Sequence, residues 1–271
     1  MKIAVLMTCY NRVATTIECL RRLFKQDISD GYSLDVWLVD DGSPDGTGDK
    51  VKSEYPQVNV IKSKGNLYWC KGMRMAWELA SKANDYDAYL WLNDDVMLYD
   101  HALSTILADY KTVGEIAVII GAFHQRMGED EISYGVAAPS GGKIVPQGKV
   151  IQTNGFMSGN FVFVPRGVFK RVGPIYGGYY HAYGDYDYGM MLTRAGISLY
   201  CSSRVLGVCP QQIERYLHFE GRSLFRRVKL LFEPKGYCLH DAVLFKYRNW
   251  GVVRAIMSGL HVVIKVVFAK G

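Results

Sequence analysis

The sequence predicts an α/β protein whose mostly parallel sheet is flanked by helices. Strand-like apolar runs alternate with helical segments four times in the first hundred residues, which is typical of a parallel sheet with helical crossovers. The runs are continuously apolar, as expected for strands buried on both faces. Two of them end in acidic turns, and these turns should lie together because such sheets bind ligands at the carboxyl ends of their strands.

The predicted elements follow in order along the chain. Strands are predicted over residues 3–8, 36–39, 58–61, 88–92, 116–120 and 161–164. Helices are predicted over residues 14–26, around 73–80, around 101–111 and over 185–195, and residues 222–269 also read as helical. Residues 124–155 are rich in glycine and polar side chains, which favours hairpins and loops.

Composition excludes several classes of protein. With 271 residues, of which 49% are hydrophobic and 21% are charged, the chain is too apolar to be disordered and long enough to bury a core. Six cysteines without a CxxC pair disfavour a disulfide framework or structural zinc site and favour a reducing compartment. The N-terminal apolar run is too short for a signal peptide, and no run reaches the ~18 uninterrupted apolar residues of a membrane-spanning helix.

Charge divides the chain near residue 203. Residues 1–203 hold 20 Lys and Arg against 22 Asp and Glu, a net charge of −2, whereas residues 204–271 hold 12 against 4, a net charge of +8. We therefore predict a main domain over residues 1–203 and a basic, helical extension over residues 204–271 that faces an anionic partner. Nucleic acid is not an expected partner, because the basic side chains are interleaved with long apolar runs and no known binding module is recognisable.

Three acidic clusters are candidate sites. Asn93-Asp94-Asp95 follows a predicted buried strand, where adjacent carboxylates suit a divalent cation or, alternatively, cap the next helix. Asp40-Asp41-Gly42-Ser43 either binds a ribose or base, or is a turn that uses these residues for backbone reasons. Gly184-Asp185, which follows a tyrosine-rich segment, supplies either a general base with a raised pKa or the cap of a helix.

The order of these clusters resembles that of the family 2 glycosyltransferases, whose GT-A fold is a Rossmann-like sheet flanked by helices. The matching segments, within about residues 1–200, are Thr8-Cys9-Tyr10-Asn11-Arg12, Asp40-Asp41-Gly42-Ser43, Gly65-Asn66-Leu67-Tyr68-Trp69, Gly72-Met73-Arg74, Asn93-Asp94-Asp95-Val96, Ser158-Gly159-Asn160 and Gly184-Asp185-Tyr186-Asp187. They look most like the bacterial branch that includes rhamnosyltransferases of surface polysaccharides. Three positions depart from the usual pattern: Asn93 replaces the first acid of the DxD motif, Gly184 replaces a glutamate and Tyr68 replaces a glycine.

The resemblance implies a role for individual residues. Asp185 takes the position of the catalytic base, Asp95 that of a metal ligand, and His218 that of a late histidine that also binds the metal. Asp41 would hold the nucleotide base and Asp94 the ribose. The nucleotide-binding set implied by the resemblance comprises Tyr10, Asn11, Arg12, Asp40, Asp41, Asn66, Gly72 and Asp94.

The function that the resemblance implies is inverting sugar transfer with Mg²⁺ or Mn²⁺ and a dTDP- or UDP-linked donor. The expected acceptor is a glycan or a lipid-linked acceptor in cell-surface polysaccharide synthesis, in the cytoplasm at the inner face of a bacterial plasma membrane. Two alternatives stay open. One is a sugar nucleotidyltransferase, which normally carries a glycine-rich, basic loop after its first strand, and the other is a non-catalytic module that binds nucleotide sugars.

The end of the chain predicts an unusual helix. Residues 252–269 are almost entirely apolar except for one polar stripe, formed by Arg254, Ser258, His261 and Lys265. So wide an apolar face must be covered by something. We expect the helix to lie on a membrane surface as a peripheral attachment, or to pack against the domain or against a second copy of the chain in a homodimer.

Overall fold

The structure, a computed structural model, describes residues 1–28, 30–138, 142–153, 156–211 and 221–268. It confirms the predicted α/β class. Within the described residues, ten strands form one central, mostly parallel sheet with helices on both faces, and a C-terminal helical segment follows the last strand.

The elements have the following bounds. The strands are β1 (Lys2–Cys9), β2 (Ser33–Asp40), β3 (Asn59–Lys62), β4 (Ala88–Leu92), β5 (Met97–Leu98), β6 (Ala117–His124), β7 (Ile132–Tyr134), β8 (Ile151–Thr153), β9 (Phe161–Pro165) and β10 (Ser198–Val208). The helices are α1 (Val13–Phe24), α2 (Thr47–Glu54), α3 (Tyr68–Ala83), α4 (Ala102–Val113), α5 (Arg166–Val172), α6 (Gly184–Arg194), α7 (Leu224–Phe232) and α8 (Leu239–Phe268).

The strand order is β3-β2-β1-β4-β9-β6-β10-β5, with β7 beside β6 and β8 beside β10. Strands β1, β2, β3 and β4 run parallel to one another, whereas β9 runs antiparallel to both β4 and β6. Because β9 is reversed and Leu92 pairs with Phe161, the residues just before β9 reach the sheet edge at which β1, β2 and β4 end. Polar segments that adjoin four strands therefore lie together at this edge of the sheet.

Two apolar layers cover the sheet. On one face Trp77 of α3 packs against Trp91 of β4 and Tyr188 of α6, with ring centroids 5.5 and 5.6 Å apart. On the other face α1 and α4 contribute Leu20 and Ile106 to a second cluster. Both layers consist of side chains almost without solvent exposure, so the sheet holds its edge in a fixed position.

Strand β10 is the main element that the sequence pattern missed. Its apolar run is interrupted by Ser202-Ser203-Arg204, and the pairing with β6 shifts register there. The hydroxyl of Ser202 accepts the N–H of Ala122 and donates to the carbonyl of Arg204, so the polar residues form a bulge in a central strand. Residue 204, at which the sequence division places the start of the basic extension, lies within this strand.

The C-terminal segment consists of α7 and the long helix α8. The backbone of α8 is non-helical at Gly251 (φ 84°, ψ 177°), so α8 is two helices joined at this residue. Leu231 of α7 packs on Val262 and Val266 of the second helix. By length and composition α8 could cross a membrane, since an 18-residue window has a mean hydropathy of 1.7 and is 17% buried.

Gly72 lies where helix α3 packs closely against strand β1. A Cβ at this position would overlap the side chain of Thr8, so the helix can approach the strand this closely because residue 72 lacks a side chain. The structure thus gives Gly72 a packing role.

Replacing Gly72 with alanine is expected to lower the free energy of unfolding by about 1–3 kcal/mol, because overpacking against Thr8 outweighs the helix propensity of alanine. Denaturant unfolding measures this change. Gly189→Ala in α6 is the matched control, since its Cβ would meet Met157 at an ordinary 3.4 Å, and it should be neutral or stabilising by up to about 1 kcal/mol. Equal destabilisation by both substitutions would contradict the packing role.

Candidate active site

A cleft of about 630 Å³ opens at the sheet edge that collects the polar segments. It lies between the ends of β1, β2 and β4, the residues before β9 and the N-terminus of α6. Seven residues predicted from the sequence line it: Tyr10, Arg12, Asp41, Asn66, Asp94, Asp95 and Asp185. Acidic side chains from three separate stretches of chain therefore face one space.

Three other predicted residues, Asn11, Asp40 and Gly72, are described by the structure but do not line the cleft. The backbone N–H of Asn11 donates to the Ser43 hydroxyl at 2.9 Å. The buried carboxylate of Asp40 accepts the backbone N–H groups of Ser43 and Gly48 at 2.9 and 3.1 Å. These bonds fold the loop after β2 against the loop after β1, which is the turn alternative of the sequence analysis for Asp40.

Asp94 and Asp95 share one cation. The Arg12 guanidinium donates from Nη1 to Asp94 at 3.2 Å and to Asp95 at 2.8 Å, and the Thr16 hydroxyl donates to the other oxygen of Asp94 at 3.3 Å. Burial and the neighbouring Asp95 carboxylate raise the pKa of Asp94, whereas Arg12 and Thr16 oppose that rise. The arrangement keeps two adjacent carboxylates at the cleft floor.

The acidic pair fits a metal ion that is bound jointly with a substrate. Asp95 lines the cleft, and among the described residues its Oδ1 has a weak hydrogen bond from the Cys209 thiol at 3.8 Å. Within the described ranges no three His, Cys, Asp or Glu side chains are grouped to hold a metal, and His218 lies outside those ranges. Mg²⁺ often binds one or two protein carboxylates and completes its coordination shell with phosphate oxygens of a substrate. Asp95 and Asp94 can provide these carboxylates.

Asp41 anchors a neighbouring loop. Its Oδ1 accepts the Ser63 hydroxyl at 2.7 Å and the N–H of Leu67 at 3.0 Å, and its Oδ2 accepts the N–H of Tyr68 at 2.9 Å. The loop is strained, since Asn66 and Tyr68 have positive φ values of 66° and 56°. Asp41 thus holds this loop at the cleft and keeps acceptor capacity on Oδ2.

Asp185 lies across the cleft at the start of α6. Its half-buried carboxylate accepts the N–H of Gly159 at 3.0 Å and that of Tyr186 at 2.9 Å. Desolvation raises the pKa of Asp185 to about 6, although these N–H groups and the Lys143 ammonium act in the opposite direction. A carboxylate with this pKa can take up a proton near neutral pH.

Residues 4–173 match the family model described as glycosyl transferase family 2, which is more than half of the chain. The chain belongs to glycosyl transferase family 2. It is thus a glycosyltransferase, and this decides against the nucleotidyltransferase and the non-catalytic module. A comparison with curated proteins found no match.

Solved structures of low sequence identity share the fold of this family 2 glycosyltransferase. TarS 1–349 of S. aureus aligns over 99% of this chain and 81% of its own, with a TM-score of 0.58 and 15% identity. TarS 1–349 with UDP-GlcNAc aligns over 98% and 82%, with a TM-score of 0.60 and 15% identity. The Pyrobaculum calidifontis mannosyltransferase PcManGT, solved with GDP-Man and Mn²⁺, aligns over 99% and 76%, with a TM-score of 0.57 and 14% identity. The fold is accordingly that of the GT-A glycosyltransferases.

Some cleft residues of the glycosyltransferase carried no predicted role. The Trp69 indole N–H donates to the side-chain oxygen of Asn93 at 2.7 Å, which gives the residue in place of the usual first acid a defined partner. The ammonium of Lys235 lies 4.9 Å from the centre of the Tyr10 ring at the cleft mouth. The Trp69 motif and the basic extension were visible in the sequence, but neither indicates these contacts.

Asp241 organises the loop that leads into α6. It is fully buried on α8, and its two oxygens accept the backbone N–H groups of Tyr180, His181 and Ala182 at 2.9–3.1 Å. The His240 ring lies 2.9 Å from the same carboxylate. Because His181 and Ala182 line the cleft just before Asp185, the first half of α8 helps to place the acidic side chain.

Asp241→Asn is expected to lower the free energy of unfolding by about 1.5–3 kcal/mol, since an amide leaves part of the three N–H groups without an acceptor. Thermal or denaturant unfolding measures this change in the free energy of unfolding. Glu54→Gln, which removes an exposed pair with Lys50, is the control and should change stability by less than about 1 kcal/mol. If Asp241→Asn also stays within that range, the loop does not depend on this carboxylate.

Proposed function

We propose that this enzyme transfers a hexosyl group, with inversion, from a nucleotide-diphosphate sugar to an acceptor hydroxyl, with Asp185 as the general base. The observation that carries the proposal is that Asp185, whose pKa is raised to about 6, shares one cleft with the pair Asp94 and Asp95. A base and a site for a diphosphate are the two parts that direct displacement at an anomeric carbon needs.

The donor is a UDP- or dTDP-linked sugar in this proposal. Asp41 can accept a base N–H on its Oδ2, and Tyr10, whose ring is 45% exposed at the cleft mouth, can stack on the base. Asp94 also lines the cleft and can accept a ribose hydroxyl. The TarS and PcManGT structures were solved with UDP-GlcNAc and GDP-Man, respectively, so related folds hold nucleotide sugars of different bases.

The diphosphate is assigned to the floor of the cleft beside Asp95 and Arg12. GT-A glycosyltransferases typically use a divalent metal, and the PcManGT structure contains Mn²⁺. When bound, Mg²⁺ or Mn²⁺ neutralises the negative charge that develops on the leaving diphosphate. Asp95 would hold the ion, Asp94 would assist, and the Arg12 guanidinium, which pairs with both carboxylates, can turn to a phosphate oxygen.

The transfer step is a single displacement. The acceptor O–H gives its proton to a carboxylate oxygen of Asp185 while its oxygen forms a bond to the anomeric carbon. The bond from that carbon to the diphosphate oxygen breaks with its electron pair, and the nucleoside diphosphate leaves. Attack from the side opposite the leaving group inverts the anomeric centre, so no covalent enzyme intermediate is needed.

The acceptor in this proposal is a glycan or a lipid-linked acceptor of cell-surface polysaccharide synthesis, and the enzyme works in the cytoplasm at the inner face of a bacterial plasma membrane. The support comes from the positive charge of the residues next to the cleft. The segment Pro234–Gly236 lines the cleft, and it belongs to a described C-terminal stretch, residues 221–268, with nine Lys and Arg against two Asp and Glu. An excess of positive charge of this kind favours a diphosphate-bearing acceptor.

Asp185→Asn is expected to abolish sugar transfer while leaving donor binding intact. The amide cannot accept the hydroxyl proton, so kcat should fall by about 10²–10⁴-fold. Nucleotide release from UDP- and dTDP-sugars reports turnover, and calorimetry reports the Kd of the nucleotide. A variant that still turns over at the wild-type rate excludes Asp185 as the base.

The pH dependence of kcat in the wild-type enzyme is a second test of Asp185 as the general base. The base acts when deprotonated, so kcat should fall as the pH drops through about 6, where Asp185 takes up its proton. A rate that is flat between pH 5 and 7, about a unit on either side of that pKa, contradicts the assignment.

Asp95→Ala is expected to weaken the metal-dependent part of nucleotide affinity by more than about tenfold, because it deletes a cleft-lining carboxylate whose Oδ1 accepts only a weak bond from the Cys209 thiol among the described residues. Titration calorimetry of UDP with and without Mn²⁺ measures this. Asp100→Ala, which removes an exposed carboxylate five positions along the chain, should behave as wild type. Affinity that is independent of Mn²⁺ in both wild type and Asp95→Ala would show that the metal assignment is wrong.

A further inference from the structure

The second half of α8 exposes a broad apolar face. Val253, Ile256, Leu260, Val263 and Val267 recur every three or four residues, so they share one side of the helix, and each is 41–66% exposed. Further exposed apolar side chains lie beside them: Val252, Met257, Ile264 and Phe268. A surface of this extent is uncommon on a soluble monomer and marks a binding face.

The same helix has two other sides. Ala255, Val262 and Val266 are buried, and the Arg227 guanidinium donates to the Val266 carbonyl at 2.9 Å, which fixes the helix against α7. Arg254, Ser258, His261 and Lys265 form the polar stripe between the exposed apolar face and the rest of the surface. Apolar and basic side chains therefore meet along one line of the helix.

Helix α7 and the first half of α8 carry further exposed apolar side chains. Phe225, Val228 and Phe232 of α7 are 40–81% exposed and, at spacings of three and four, lie on one side. Phe232 also borders a groove of about 460 Å³ together with Leu239, Val243, Leu244 and Tyr247 of α8, plus the His240 ring. Exposed aromatic and aliphatic side chains are therefore present on both helices of the C-terminal segment.

Charge identifies what covers the face. Residues 221–268 carry nine Lys and Arg and two Asp and Glu, a net charge of +7 (9 − 2), and of the two acids Asp241 is buried. A second copy would bring the same positive face against itself, because a two-fold interface uses one patch twice. An anionic lipid surface offers opposite charge to the basic residues and hydrocarbon to the apolar ones.

The geometry favours an orientation in the plane of the membrane. Beyond Gly251 the described part of the helix, residues 252–268, is about 25 Å long, at the short end of what crosses a ~30 Å hydrocarbon core. It is also packed on α7 along one side and carries Arg254 and Lys265 in its stripe. We infer that α7 and the second half of α8 form an interfacial anchor that docks this enzyme on an anionic phospholipid bilayer.

The test is sedimentation of the full chain with vesicles of phosphatidylcholine alone or of phosphatidylcholine and phosphatidylglycerol. The wild type should bind the anionic vesicles, and Ile256→Glu should weaken partitioning by about tenfold or more. Ile116→Glu is the matched control, since Ile116 is 61% exposed on the main domain and Ile256 is 57% exposed on the face. The double change Arg254→Gln and Lys265→Gln should weaken binding to anionic vesicles by about fivefold per charge.

Three results overturn the inference. The first is the absence of wild-type binding to anionic vesicles, and the second is equal loss for Ile256→Glu and Ile116→Glu. The third is resistance of the vesicle-bound protein to alkaline carbonate, which indicates a spanning helix. A wild-type dimer that Ile256→Glu converts to monomer, without vesicle binding, assigns the face to a second copy. Because vesicle binding is measured without substrate, these results are independent of the proposed transfer reaction.

Discussion

The pairing of one arginine with two adjacent carboxylates is the interaction on which the site depends. Asp94 and Asp95 follow a fully buried strand, and two bare carboxylates at that depth would repel each other and favour protonation. Arg12, from the loop after the neighbouring strand β1, offsets part of that repulsion, although the pKa of Asp94 stays raised. Because β1 and β4 are parallel neighbours, the sheet itself brings the arginine to the acids, and the acidic floor exists before any substrate arrives.

The other acidic side chains accept hydrogen bonds from backbone N–H groups, and the number of these bonds decides what each carboxylate can do. Asp41 and Asp241 accept three N–H or O–H groups or more each, and both are nearly without exposure, so they fix loops. Asp185 accepts two N–H groups and remains half-buried, and desolvation prevails in raising its pKa to about 6. The number of donors and the access to the cleft thus separate an anchoring carboxylate from one that can exchange a proton.

The sequence was sufficient for the parts of the molecule that depend on local pattern. Continuous apolar runs identified β1, β2 and β4, and acidic turns after β2 and β4 identified Asp41, Asp94 and Asp95. The other predicted cleft residues came from the tyrosine-rich acidic cluster or from the family resemblance: Tyr10, Arg12, Asn66 and Asp185. Strand β10 was missed because its bulge at Ser202 breaks the apolar run, and its pairing with β6 is a tertiary contact. The hydrogen bonds of Asp241 were missed because their N–H donors lie about sixty residues earlier in the chain, and no local sequence pattern indicates such a contact.

The C-terminal segment relates the cleft to the proposed membrane face. Phe232 belongs to the exposed apolar surface, and two residues later Pro234, Lys235 and Gly236 line the cleft. The ammonium of Lys235 lies over the Tyr10 ring, so the turn between α7 and α8 is in contact with the end of β1. In the proposed membrane-bound state, a bilayer at that surface would lie near this turn and the cleft that it lines. The proposed lipid-linked acceptor would then approach Asp185 from the bilayer, whereas the soluble donor would enter from the aqueous side.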